Sequence, residues 1–141
     1  MLYGNAPRCV SALDKGRLET LIERVFDGRA LSPPAMMVLH RLRTADLVVE
    51  PENVPRDLVT MNSTVRLADP MSNDAWEVTL VYPEEHDPDD DCWSILSPVG
   101  AALFGHRIYE PTQVRQLEHG SARWVVADIP FQPEASNWMT L

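Results

Sequence analysis

The apolar residues of this chain change their spacing once, from a period near 3.6 to a period of two. The change falls across Val48-Val49-Glu50-Pro51-Glu52-Asn53-Val54-Pro55-Arg56-Asp57, a stretch with two prolines and no period of its own. A 3.6 period buries one stripe of a helix, whereas a period of two buries one face of a strand. One such switch therefore predicts an α+β protein, with helices first and a sheet second. Prolines without periodicity mark an ordered linker, so the expected division is an N-terminal unit at 1–50 and a C-terminal unit at 51–141.

In the first part, Leu18, Leu21, Ile22, Val25 and Phe26 recur at i, i+3, i+4, i+7 and i+8, with Ser11 or Asp14 as the cap and Gly28 as the stop. Ser32-Pro33-Pro34 restarts a helix, because serine caps well and proline suits a first turn, where an amide N–H has no partner to lose. That second helix is expected to run to about Asp46 with Ala35, Val38, Leu39, Leu42 and Ala45 as its stripe. Two stripes joined by a short loop predict an antiparallel helical hairpin, a short coiled coil.

In the second part, Thr64–Ala68 alternates with Val65 and Leu67 inward, and Ala75–Tyr82 places Trp76, Val78, Leu80 and Tyr82 on one face. Asp69-Pro70-Met71-Ser72-Asn73-Asp74 between them is turn chemistry, so a β-hairpin is expected. Glu84-Glu85-His86-Asp87-Pro88-Asp89-Asp90-Asp91 carries too much charge to pack and reads as a loop. The run Ser94 to Gly105 reads as strand, cap, helix and stop: Ser97 caps, Pro98 takes the first turn, and Gly105 can adopt the left-handed conformation. A helix this short cannot stand alone and must lean on a sheet. Gln113–Leu117 and Ala122–Phe131 read as two further strands around Glu118-His119-Gly120-Ser121, and Trp138 as an anchor for a loose tail.

The net charge of −9 repels phosphate backbones and argues against direct nucleic-acid binding. No apolar run has membrane-spanning length, and Met1–Arg8 lacks the apolar core of a signal peptide, so a cytoplasmic protein without a membrane partner is expected. Cys9 and Cys92 lack partners at metal spacing and read as packing residues of a reduced compartment.

Four stretches carry a resemblance to a known family: Val59-Thr60-Met61-Asn62-Ser63-Thr64-Val65, Thr79-Leu80-Val81-Tyr82-Pro83, Leu96 to Gly105, and Phe131-Gln132-Pro133-Glu134-Ala135. In that order they resemble the bacterial GreA/GreB transcript-cleavage factors. Pro51-Glu52 and Val54-Pro55 are similar to the junction of the family's branch of nucleoside diphosphate kinase regulators. The resemblance implies a C-terminal FKBP-like antiparallel sheet with one short helix, and an N-terminal coiled-coil finger. It further implies RNA polymerase as partner, docked near its secondary channel through Leu96, Ser97, Pro98, Val99 and Gly100. The chain departs from the family where a Gly-Asp turn is usual, having Tyr109-Glu110-Pro111, and at Leu96, where a polar or acidic residue is common.

Cleaving members hold a catalytic Mg²⁺ between two acidic residues at the fingertip, and Mg²⁺ takes hard oxygen ligands. The tip here, Asp27-Gly28-Arg29, sets one carboxylate beside a cation, with Glu23 one turn earlier on the same side. Acids at i,i+4 are ordinary on exposed helices. The expectation is therefore no catalytic residue, no metal, no cofactor and no cleavage: a polymerase-binding transcription regulator competing with cleavage factors. The alternatives are an active cleavage factor and, from the implied fold alone, a peptidyl-prolyl isomerase. Asp87, Asp89 and Asp91 alternate but lack the central glycine and terminal glutamate of a Ca²⁺ loop. His40, His86, His106 and His119 have no metal spacing, and no G-x-S-x-G surrounds Ser97. Trp76, Trp93 and Trp124 read as core aromatics.

Overall fold

The structure is a computed structural model that describes residues 8–114 and 123–136. Its first helix, α1, spans Ala12–Phe26, where Ser11 Oγ accepts the Asp14 amide at 2.9 Å and Leu18, Leu21 and Ile22 are buried. It ends on two left-handed residues, Asp27 at φ 47° and Gly28 at φ 79°. The second helix, α2, spans Pro33–Thr44; Ser32 Oγ accepts the Ala35 amide at 3.3 Å, and Ala35, Val38 and Leu42 are buried.

The stretch around Val48 is more than a linker. Leu47–Val49 forms a strand, β2, that pairs in parallel with β1, Cys9–Ser11, in the register Cys9↔Leu47 to Ser11↔Val49. The chain thus enters and leaves the helical pair through one two-stranded ladder. Three residues are too few to show an alternation, and the pairing is set by partners far apart in sequence.

The sheet of the second part has four strands. Thr64–Ala68 (β3) and Ala75–Val81 (β4) pair antiparallel from Thr64↔Thr79 to Ala68↔Ala75, burying Val65, Leu67, Trp76, Val78 and Leu80. In their turn Asp69 Oδ1 accepts the Met71 amide at 2.8 Å, and Asn73 takes φ 62°. Cys92–Ser94 (β5) lies on the far side of β4, and Val125–Phe131 (β6) pairs antiparallel with β3, giving the order β5-β4-β3-β6.

The expected all-antiparallel sheet is corrected here: β5 runs parallel to β4, Thr79↔Cys92 to Val81↔Ser94. Parallel neighbours need a crossover, and the acidic stretch supplies it through two short 3-10 turns, Pro83–Glu85 and Pro88–Asp90. β5 also ends at Ser94 instead of continuing into Leu96, and β6 begins at Val125 instead of Ala122. Gln113 and Val114 are not in a strand; the rest of that expected strand, the turn after it, Met1–Pro7 and Trp138 lie outside the described residues.

The short helix α3, Pro98–Leu103, crosses the sheet with Val99 through Leu103 all buried. One hydrophobic cluster joins Leu18, Leu21, Ile22, Val38 and Leu42 of the helices to Val65, Leu80, Leu103 and Trp124. The helical stripes therefore lie in the same core as the sheet. Among the described residues no helix is long and apolar enough to cross a membrane.

Candidate functional site

The turn leading into α3 is held from several directions. Ser97 Oγ accepts the Gly100 amide at 3.1 Å and donates to the Ser94 carbonyl at 2.6 Å, while Ser94 Oγ accepts the Leu96 amide at 3.0 Å. The Ile95 amide donates to the Val81 carbonyl at 2.8 Å, tying the turn to β4. Gly100 is required by space: a Cβ there would fall on the Ser94 carbonyl oxygen, with Leu80 Cδ1 3.0 Å away. Val99 and Gly100 are buried, so the surface this segment offers is Leu96 and Ser97, both half-buried, and the exposed Pro98.

The acidic crossover borders that surface and is pinned to it. His86 Nδ1 accepts the Ser94 amide at 2.8 Å, and its ring meets Trp93 edge-on at 5.7 Å. Trp76 Nε1 donates to Asp91 Oδ1 at 2.9 Å, and Trp76 packs against both Trp93 and Trp124 at 5.9 Å. Trp76 and Trp124 are buried in the core as expected, although Trp124 precedes β6, while Trp93 is only half-buried against it. Glu84, Glu85, Asp87, Asp89 and Asp90 stay exposed. Their field is felt by Cys92, whose thiol is pushed up by burial and then by Asp90, Asp87, Glu85 and Asp91. The segment thus offers a preorganised, weakly polar edge beside strong negative charge, a fit for a basic partner surface.

The tip of the helical pair is built differently. Asp27, Gly28 and Arg29 are exposed, and Arg29 folds back: Nε donates to the Phe26 carbonyl at 2.9 Å and Nη2 to the Val25 carbonyl at 2.7 Å. Its guanidinium caps the C-terminus of α1. Glu23 and Asp27 share a backbone bond, Asp27 N–H to the Glu23 carbonyl at 2.9 Å, and both side chains are exposed. Among the described residues no group of three or more His, Cys, Asp or Glu is placed to hold a metal ion.

Two of the sequence motifs meet where the helices join the sheet. Thr60 Oγ1 donates to Glu134 Oε1 at 2.7 Å and lies 2.9 Å from Ser63 Oγ, while Gln132 Nε2 donates to the carbonyls of Pro55 at 2.8 Å and Leu58 at 2.7 Å. Beside them, buried Asp14 accepts the Met61 amide at 3.2 Å. Burial raises the Asp14 carboxyl to about 7, with Glu134 adding to the rise while the Met61 bond and Arg17 oppose it. The sequence suggested Asp14 only as a cap; its contact to Met61, far along the chain, carried no local signal.

After α3, where the sequence departs from the family's usual Gly-Asp turn, Tyr109 sits at φ 74°, in the left-handed region where glycine is at ease. Glu110 is buried and accepts Arg8 Nη1 and the Arg107 amide, both at 2.9 Å. Burial alone would raise its carboxyl, but these bonds hold it below the ordinary range.

Comparison with known proteins gives a consistent result. The family model described as "Transcription elongation factor, GreA/GreB, C-term" matches residues 54–130. The regulator of nucleoside diphosphate kinase of Escherichia coli K12 is 31% identical over 129 residues, spanning 90% of this chain and 91% of the relative. Transcription elongation factor GreA of Dehalococcoides mccartyi is 29% identical over 127 residues, spanning 90% of this chain and 72% of that one. Among solved structures, a prokaryotic transcription elongation factor GreA/GreB from Nitrosomonas europaea is similar at a TM-score of 0.74 and 35% identity, covering 87% of this chain and 98% of the other.

Proposed function

This chain belongs to the GreA/GreB family of transcription elongation factors, and from that membership we propose that it regulates transcription by docking on RNA polymerase without cleaving the transcript. The body, 51–141, carries the docking surface Leu96-Ser97-Pro98, and the helical pair within 1–50 acts as a blunt finger at the rim of the secondary channel.

The single observation that supports this reading is the turn at Ser94–Ser97, whose hydrogen bonds fix an exposed Pro98 before any partner arrives. A surface fixed in advance loses little entropy on association. The fingertip supports the second half of the proposal. Its cation is turned back onto α1, and its two exposed acids, Glu23 and Asp27, stand a helical turn apart as ordinary surface acids do, with no third metal-binding side chain grouped with them among the described residues.

Two proteins that use one site exclude each other. The test is to titrate this protein into a cleavage reaction driven by a GreA-type factor on stalled polymerase. Product formation is expected to fall as the protein saturates polymerase, and the protein alone is expected to give no shortened transcript. Undiminished cleavage, at concentrations where binding to polymerase is measured directly, would overturn the shared site. Shortening by the protein alone, lost in Asp27→Asn, would overturn the absence of cleavage.

A further inference from the structure

A cavity of about 390 Å³, lined by none of Leu96, Ser97 and Pro98, opens between β1, α2, the end of α3 and the residues that follow it. Val10, Met37 and Phe104 form an apolar wall, and Arg41, His106 and Arg8 a polar one. The segments that bring them together lie at opposite ends of the sequence, and the apolar wall is firm: Val10 and Phe104 are both buried.

The polar wall is unbalanced. Arg8 and Arg41 share the neighbourhood of one carboxylate, Glu110, whose Oε1 is already engaged by Arg8 Nη1 and the Arg107 amide. Arg41 Nε is buried with no hydrogen-bond partner among the described residues, and its stem lies along Gly105, where a Cβ would sit 3.5 Å from Arg41 Cδ. His106 is 8% exposed and its Nδ1 likewise has no partner among the described residues. Burial, then the charge of Arg41, lowers His106 to about 4, so the ring is neutral near pH 7. Native proteins pair nearly all buried polar atoms, so two orphans in one wall call for an explanation. In a chain of net charge −9, an Arg41 guanidinium with no acid bonded to it among the described residues is the feature of a site that awaits an anion.

We infer that this cavity binds a small organic anion, a carboxylate or phosphate monoester on a compact aromatic or aliphatic body, with the charged group on Arg41 and the body against Val10, Met37 and Phe104. The volume is of the order that small-molecule sites use and exceeds what a lone phosphate would fill. Its walls come from both sides of the 50/51 boundary, so an occupant would fasten the helical pair to the body. The inference is independent of the polymerase proposal, whose surface the cavity does not include.

The test is an amide NMR titration of the full chain with phenyl phosphate and with benzoate, which separate the two head groups, against inorganic phosphate and benzyl alcohol. At least one of the two aromatic anions is expected to bind ten-fold or more tighter than inorganic phosphate, with shifts centred on Val10, Arg41 and Phe104–His106. It should also raise the melting temperature, since binding to the folded state alone stabilises it. Benzyl alcohol is expected to leave the spectrum unchanged, and Arg41→Met to lose ten-fold or more in affinity while melting no lower than the parent. If Arg41→Met does not fold, Met37→Glu at the 37% exposed rim tests the same claim by repulsion. Equal binding of inorganic phosphate or of benzyl alcohol, shifts elsewhere, no binding by either aromatic anion, or unchanged affinity in the variants would each overturn the site.

Discussion

The segment Ser94–Leu103, a tight turn running into α3, and the connection 27–32 between the two long helices are both short, yet they are held by different means. The first is fixed from outside itself: Val81, Leu80 and His86 all reach into it, and α3 buries five of its six residues. The second is held mainly by the helices it joins, through Arg29 on the last carbonyls of α1, left-handed backbone at Asp27 and Gly28, and Ser32 on the first amides of α2, with Leu31 as its one contact to the core. A surface that must present one shape needs long-range support. A tip held locally can change its residues and leave the fold intact.

The largest test of that contrast is Gly100→Ala. The added methyl has nowhere to go but into the Ser94 carbonyl, so α3 must shift from the sheet, at about 3 kcal/mol or more in a urea melt. Should Gly100→Ala prove neutral, α3 is not fixed in the way described.

Next comes Asp14→Asn, which asks whether the buried junction behaves as part of the rigid side. Asp14 titrates at about 7 in the fold against an ordinary 3.8, so its contribution is full below 3.8 and is lost as pH rises toward 7. His106 runs the other way: at about 4 in the fold against 6.5, its contribution is present above 6.5 and is lost as pH falls toward 4. The two slopes oppose each other between about 4 and 6.5, and only that of Asp14 continues to about 7. Asparagine keeps an acceptor for the Met61 amide without the charge. Asp14→Asn is therefore expected to exceed the parent by about 2 kcal/mol at pH 8 and to lose that advantage near pH 4, read from denaturant melts across the range.

Ser97→Ala removes a cap and is expected to cost about 1 kcal/mol, with weaker polymerase binding after the fold is confirmed. Arg29→Ala marks the small end: an exposed side chain on two carbonyls should cost less than about 0.5 kcal/mol and leave polymerase affinity unchanged. A large loss from Arg29→Ala, or none from Ser97→Ala, would erase the distinction between the two regions.

Much of this was legible in the sequence where the cause is local. Thr64–Ala68 and its turn could be bounded from alternation and Asp69-Pro70 alone, and the Ser97 cap with Pro98 behind it is chemistry within four residues. What could not be read depends on partners far away. β1 and β2 are three residues each and become strands only because they lie side by side; β5 looks the same whether it pairs parallel or antiparallel. The motif Leu96 to Gly100, the proposed docking surface, stands out in the sequence, although not that Val99 and Gly100 are buried beneath it. The cavity draws Arg8, Arg41 and His106 from three separate segments, and each alone reads as an ordinary side chain.

The β1–β2 ladder has one more consequence. Because Cys9–Ser11 and Leu47–Val49 lie side by side in parallel, residues 12–46 form a loop closed at its base, leaving one end of the ladder and returning at the other, so the distance between its ends is set by the strand spacing and the three-residue length of the ladder. Whole helical turns inserted at the tip, beyond Ile22 and Ala35, would leave those ends where they are, whereas turns removed there would take Ile22 and Val38 out of the core that the helices share with the sheet. The ladder thus fixes where the helical pair is rooted, while Leu18, Ile22, Val38 and Leu42 in the shared core fix how much of it the body needs, so its reach can be lengthened at the tip but not cut back at the base.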